Sequence, residues 1–129
     1  MKKILIIEDE PEMRRNLMTI LRLERFNPLP AKNGQVGIEL AKKERPDLIL
    51  CDVTMPELDG YGVIAALRAD IEIVAIPLIF LAAEGENPDL RAGTDLGAGD
   101  YLTLPVLKLD LLSAIRARLE KRSRGLERP

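Results

Sequence analysis

Short apolar runs alternate along this chain with segments whose apolar positions recur at helical spacing. Lys2 to Ile7 is almost continuously apolar and ends in Glu8-Asp9-Glu10, which predicts a strand buried on both faces that emerges into carboxylates. Pro11 suits the first turn of a helix, and Met13, Leu17, Ile20, Leu21 and Glu24 follow helical spacing, with Arg14, Arg15 and Arg22 off the apolar stripe. A second cycle predicts a strand over Asn27 to Ala31, a turn at Asn33-Gly34, and a helix through Val36, Ile38, Leu40 and Ala41 that Pro46 stops. Asp47 to Asp52 repeats the first strand's design, apolar and ending at an acid.

Val53 to Gly62, with Pro56, Asp59, Gly60 and Gly62, reads as a loop, and Val63 to Arg68 as a short helix. Pro77 to Leu81 predicts a fourth strand. Asn87-Pro88 reads as a cap and first turn of a helix that carries Leu90 and Leu96 and closes at Gly97. Asp100 to Thr103 makes a fifth strand, and Leu111, Leu112, Ile115 and Leu119 mark a last helix that begins near Asp110 and is expected to end before Gly125. Strands alternating with helices, without a hairpin signal, imply a parallel sheet covered on both faces with right-handed crossovers.

The chain has 129 residues, one domain by length. Boundaries of 1–122 for the domain and 123–129 for a basic tail or the start of a linker are expected. Residues 116–129 hold six basic and two acidic side chains, +4, which leaves −6 of the net −2 on residues 1–115. The chain has no tryptophan, two tyrosines and two phenylalanines, too few to build a base-stacking platform, and the basic tail reads first as a solvated helix end and linker. Direct nucleic-acid binding is therefore not expected. Histidine is absent, which excludes Ser-His-Asp and Cys-His catalysis, histidine-ligated metals and a phosphohistidine on this chain. A single cysteine, Cys51, makes no internal disulfide, nothing at the start reads as a signal peptide, and the apolar run Ile73 to Ala83 is too short to span a bilayer. A cytoplasmic protein without a membrane span is expected.

In open parallel sheets, ligands bind outside the carboxyl ends of the strands, where the strand order reverses. Glu8 and Asp9 close the first strand and Asp52 the third, so three carboxylates from two neighbouring strands should converge there. A single strand-terminal acid is ordinarily a helix cap or a solvated turn residue; two such ends in one sheet favour a site. Uncompensated, the three charges would raise at least one pKa, and a divalent cation resolves the conflict. Oxygen-only ligands select Mg²⁺, Mn²⁺ or Ca²⁺, with Mg²⁺ favoured if a phosphate shares the coordination sphere. A carboxylate held by a metal can also serve as a nucleophile toward phosphorus.

Here the sequence resembles the receiver domain of bacterial two-component response regulators, over essentially residues 2–122. The resemblance rests on I-I-E-D-E at 6–10, L-I-L-C-D-V-T-M-P-E-L-D-G at 48–60, P-L-I-F-L-A-A-E at 77–84 and L-G-A-G-D-Y-L-T-L-P at 96–105. It implies a flavodoxin-like, doubly wound α/β fold: a five-stranded parallel sheet of order 2-1-3-4-5 with helices on both faces. It implies that Asp52 is the phosphoryl acceptor, that Glu8 and Asp9 hold Mg²⁺ with Asp9 the more direct ligand, and that the Thr54 backbone carbonyl joins the metal shell. It also implies that Tyr101 is an aromatic switch that turns inward on activation, and that Leu104-Pro105 is a peptide bond often found cis. The phosphoryl donor would be a sensor histidine kinase or phosphotransfer protein. An output domain or target protein would be engaged through the face made by the helix over 87–97, the fifth strand and the last helix, and a homodimer is a further candidate partner.

Two positions depart from the family. Ala82 stands where a Thr or Ser hydroxyl is expected and Leu104 where a lysine is expected, so the switch set reads Ala82, Tyr101, Leu104 and Pro105 without its hydroxyl or its cation. Each loss is worth on the order of 10² in rate or coupling, by analogy with removing one preorganised donor. Thr103 should point to the opposite face from Leu104 and cannot replace the cation. Two readings follow: a phosphorylation switch with impaired phosphorylation or impaired switching, and a phosphorylation-independent pseudo-receiver that acts as an interaction module. An enzyme is not expected, because a haloacid-type phosphatase would want an acid at position 54 and no P-loop or dinucleotide turn is present. Cys51 reads as a small core residue, and Glu84 as a solvated loop acid.

Overall fold

A computed structural model describes residues 1–83 and 100–127, with side chains described through residue 123. It contains β1 (Lys3–Ile7), α1 (Pro11–Leu23), β2 (Asn27–Ala31), α2 (Gly34–Glu44), β3 (Leu48–Asp52), α3 (Gly60–Arg68), β4 (Leu78–Ala83), β5 (Asp100–Leu104) and a final helix, here α4 (Lys108–Glu127). All strands pair in parallel in the order β2-β1-β3-β4-β5. The fold is the expected doubly wound α/β sheet. The helix expected over 87–97, with Asn87, Leu90 and Leu96, lies outside the described residues, as does Glu84.

Strand side chains alternate between the two faces, and two apolar clusters result. Leu5, Ile7, Ile49, Cys51, Leu78, Phe80 and Ala82 pack with α2 and α3 residues such as Ile38, Val63 and Ile64. Ile4, Ile6, Leu48, Leu50, Ile79, Leu81 and Leu104 pack with Leu17 and Leu21 of α1 and Leu111, Leu112 and Ile115 of α4. At roughly 1.5–3 kcal/mol per fully buried aliphatic side chain, these layers dominate stability. α2 is drawn against the sheet at Gly37, where a Cβ would come within 2.4 Å of the Ile7 side chain.

β2 contains Pro28 and Pro30 yet is a strand, because it is a sheet edge. Asn27 donates to Lys2 O at 2.8 Å, so by alternation the two prolines place their missing N–H groups on the outer side, where no ladder partner is lost.

Several element ends differ from the sequence expectation. Asn33-Gly34 is the start of α2 rather than a turn: Asn33 Oδ1 accepts from Val36 N at 2.8 Å and caps the helix. In the same way Asp59 caps α3, accepting from Gly62 N at 2.9 Å, so that helix starts at Gly60 instead of Val63. β4 runs on to Ala83 because β5 continues beside it, pairing Ala82 with Thr103 and Ala83 with Leu104. α4 starts at Lys108 and passes through Gly125 to Glu127. An internal glycine costs a helix only about 1 kcal/mol. Arg122 offsets some of that by holding this stretch to the body, donating to Asp47 O at 2.8 Å.

Candidate functional site

The site forms one step beyond the hydrophobic ladder. Ile7 pairs with Cys51 across β1 and β3, so Glu8 and Asp52, the next residues on each chain, stand side by side at the carboxyl edge. They also continue the same-face series Ile4, Ile6 and Leu48, Leu50, on the side of α1 and α4. Asp9 follows in the bend before α1. Carboxylate oxygens of Glu8, Asp9 and Asp52 all lie within 4.8 Å of one another. The chain thus brings together the three acids that the sequence singled out.

Burial makes this arrangement costly. Glu8 is 3% exposed and Asp52 8%, and Asp9 is half-buried. Burial first, and the neighbouring Asp52 charge second, push the Glu8 carboxyl from 4.5 up to about 8, against the pull of the Glu10 N–H. That N–H donates to Glu8 Oε1 at 3.2 Å. Glu8 Oε2 is buried with no hydrogen-bond partner among the described residues. A buried carboxyl oxygen without a partner, beside two further carboxylates, suits a hard divalent cation that displaces the Glu8 proton, and the 4.8 Å spread matches the roughly 4–5 Å width of an oxygen coordination sphere. The residues fit Mg²⁺.

The walls are built by the chain around Asp52. Val53 N donates to Leu81 O at 2.9 Å, and Gly60 N to Val53 O at 2.8 Å, which draws the start of α3 over the acceptor. A Cβ at Gly60 would lie 2.6 Å from Asp52 O, so that approach needs glycine. Thr54 is exposed in the loop that follows. Arg14, which periodicity places off the apolar stripe, reaches back from α1 and donates from Nη1 to Glu8 O at 2.7 Å. No sequence spacing signals this contact, because a long side chain made it across six residues. Cys51 is fully buried, burial holds its thiol well above the ordinary range, and it is a core residue rather than a nucleophile.

The two departures are apolar in the fold as well. Ala82 is 5% exposed and Leu104 8%, Ala82 packing on the α2 and α3 side and Leu104 on the α1 and α4 side. Thr103 is exposed, on the face opposite to Leu104 as alternation requires. The Leu104-Pro105 bond is cis. Tyr101, half-buried, pairs with Phe80 across β4 and β5, with ring centroids 5.2 Å apart, and Phe80 in turn meets Tyr61 edge-on at 5.3 Å. Among the described residues no helix is long and apolar enough to cross a membrane.

Comparison with known proteins agrees with this geometry. The family model described as the response regulator receiver domain matches residues 4–116. Protein PilH of Pseudomonas aeruginosa is 39% identical over 119 residues, 92% of this chain and 98% of PilH. A probable transcriptional regulator, ycf27 of Porphyra purpurea, is 38% identical over 120 residues, 93% of this chain but 48% of the relative, so the chain spans about half the length of that protein. The crystal structure of the signal receiver domain of a signal transduction histidine kinase from Syntrophus aciditrophicus superposes with a TM-score of 0.85 at 31% identity, covering 100% of this chain and 95% of that one. With this match and an acidic cluster at the carboxyl edge of a 2-1-3-4-5 sheet, the chain belongs to the response regulator receiver-domain family of two-component signalling.

Proposed function

We propose that Asp52 accepts a phosphoryl group from the phosphohistidine of a sensor histidine kinase or phosphotransfer protein, and that phosphorylation or its transmission is impaired by Ala82 and Leu104. The observation that carries the reading is the convergence of Glu8, Asp9 and Asp52, with a buried Glu8 oxygen that lacks a donor. The chain has no histidine, so the donor must be another protein or a small phosphodonor. An Asp52 carboxylate oxygen forms the bond to phosphorus while the phosphorus–nitrogen bond breaks and the electron pair leaves with the donor imidazole.

Glu8, Asp9, Asp52 and the Thr54 backbone carbonyl would hold Mg²⁺. Bound there, the ion would supply positive charge to the three carboxylates and to the phosphoryl oxygens. The chain itself supplies the rest: β1 and β3 align the acids, the Gly60 approach fixes the Asp52 backbone, and the buried apolar surround limits water. Leu104 offers no ammonium to the phosphoryl group and Ala82 no hydroxyl, each worth on the order of 10². Tyr101, packed against Phe80, then has no hydroxyl at position 82 to follow, and its signal to the face that carries β5 and α4 is weakened. An output domain or a target protein would bind that face.

The second reading, a pseudo-receiver recognised in one fixed state, is favoured by the burial of both apolar replacements. Neither reading gives the domain independent turnover, and steady product release from common phosphomonoesters would contradict that. A cytoplasmic location accords with the single buried, unpaired cysteine. Incubation with acetyl phosphate and Mg²⁺ followed by intact-mass measurement tests the choice. An adduct of one phosphoryl group on wild type and none on Asp52→Asn supports the switch; no adduct on wild type supports the module.

A further inference from the structure

We propose that Arg14 is a positioning residue for the metal-binding acids, a role that rests on the Mg²⁺ reading above. Glu8 is pinned through its backbone from two sides. Its N–H donates to Ala31 O of β2 at 3.1 Å, and its carbonyl accepts from Arg14 Nη1 of α1 at 2.7 Å. That carbonyl belongs to the Glu8–Asp9 peptide, which is planar, so its orientation fixes where the Asp9 Cα, and with it the Asp9 side chain, begins. Asp9 itself lies in neither a strand nor a helix, and only half of it is buried. The tie from Arg14 therefore controls the least supported of the three acids.

The bond is short and its donor is charged, which places it among the stronger hydrogen bonds. Partners that orient a metal ligand from behind typically contribute 10–100-fold to metal affinity. Arg14 is half-exposed, so its truncation removes little packing. Arg15, its exposed neighbour on α1, serves as a control for charge. It too lies near enough to Glu10 to lower that carboxylate's pKa, but no hydrogen bond from it to the β1 end is present.

The test is Mn²⁺ uptake by the whole chain, followed by the loss of the free-ion electron paramagnetic resonance signal, with Mg²⁺ as competitor and metal-free melts alongside. Arg14→Ala should bind Mn²⁺ at least about 10-fold more weakly than wild type, with its metal-free melting temperature within a few degrees, while Arg15→Ala stays within about twofold. Unchanged affinity in Arg14→Ala, or an equal loss in Arg15→Ala, overturns the proposal. So does a metal-free melting temperature as depressed as that of Leu17→Ala, which would assign Arg14 to folding. Absence of Mn²⁺ binding in wild type would instead overturn the metal reading itself and this inference with it.

Discussion

Replacing Leu104 by lysine should reduce the stabilisation that Mg²⁺ gives the fold. Carboxylate atoms of Glu8, Asp9 and Asp52 lie within 4.8 Å of one another, and two unit charges at that separation repel by about 3 kcal/mol at an effective dielectric of 20. The rise of Glu8 from 4.5 to about 8, caused by burial first and the Asp52 charge second, is on the order of 5 kcal/mol. In the native chain a dication is the strongest available relief. Position 104 lies at the same end of the sheet and on the same face, two strands from Asp52, a lateral distance of roughly 10 Å that a lysine stem shortens considerably. An ammonium there would take over part of the compensation, on the order of 1 kcal/mol across a partly solvated gap.

For a domain of this size that corresponds to about 4 °C in melting temperature. Thermal melts of wild type and Leu104→Lys, each with and without millimolar Mg²⁺, give the comparison. Leu104 is a buried core residue, so the lysine variant will melt lower in both conditions, but that packing loss enters both arms and cancels in the Mg²⁺-induced shift. The expected result is a shift smaller by about 4 °C in Leu104→Lys. Equal shifts would refute the electrostatic reasoning, and no shift in either protein would refute the metal site.

The raised Glu8 pKa fixes a pH dependence. In the folded, metal-free protein Glu8 holds a proton between 4.5 and about 8 that it has released in the unfolded chain, so the contribution of Glu8 to stability is fully present below 4.5 and falls, by at most about 1.4 kcal/mol per pH unit, as pH rises toward 8. Mg²⁺ displaces that proton, so the Mg²⁺-induced shift should grow from pH 6 to 8 and level off above, and a shift that is flat across this range would contradict it. Gly60→Ala, whose new Cβ would meet Asp52 O at 2.6 Å, should cost about 1–3 kcal/mol in urea unfolding and weaken Mg²⁺ binding as Asp52 is displaced. Asn33→Ala removes the α2 cap and should cost about 1 kcal/mol while leaving Mg²⁺ binding unchanged, since the cap lies on a different loop from the acids.

Much of this fold could be read from period alone. β1 and β3 are apolar on both faces because helices cover both, and that same continuity ends at acids where the sheet meets water, so Glu8, Asp9 and Asp52 declared themselves. Helix starts were harder. Asn33-Gly34 and Asp59-Gly60 carry turn chemistry, and only the hydrogen bonds to Val36 and Gly62 show that each acts as a cap. The far end of α4 was hidden because Gly125 signals a stop, whereas Arg122 holds the preceding turn to Asp47, 75 residues earlier in the chain. Arg14 was hidden for a related reason: its role is a tertiary reach to Glu8 O, which no periodicity encodes.

The alternation of strand faces also separates the two departures. Ala82 and Leu104 are close along β4 and β5, since Ala83 pairs with Leu104, yet they belong to different apolar clusters on opposite sides of the sheet. Among the described residues they pack in different clusters, so in the metal-free, unphosphorylated protein the stability effects of Ala82→Thr and Leu104→Lys should add within about 0.5 kcal/mol. The added hydroxyl lies in the cluster with Phe80 and Tyr101, the added ammonium on the side of Glu8 and Asp52. A phosphoryl group on Asp52 is the one body that both could touch, so with acetyl phosphate and Mg²⁺ the double variant should accumulate more adduct than the two single effects combined. Coupling of more than about 1 kcal/mol without phosphorylation would show that the faces communicate through the sheet itself and refute the separation. Simple additivity of adduct yield would mean that the two groups never act on a common phosphoryl group.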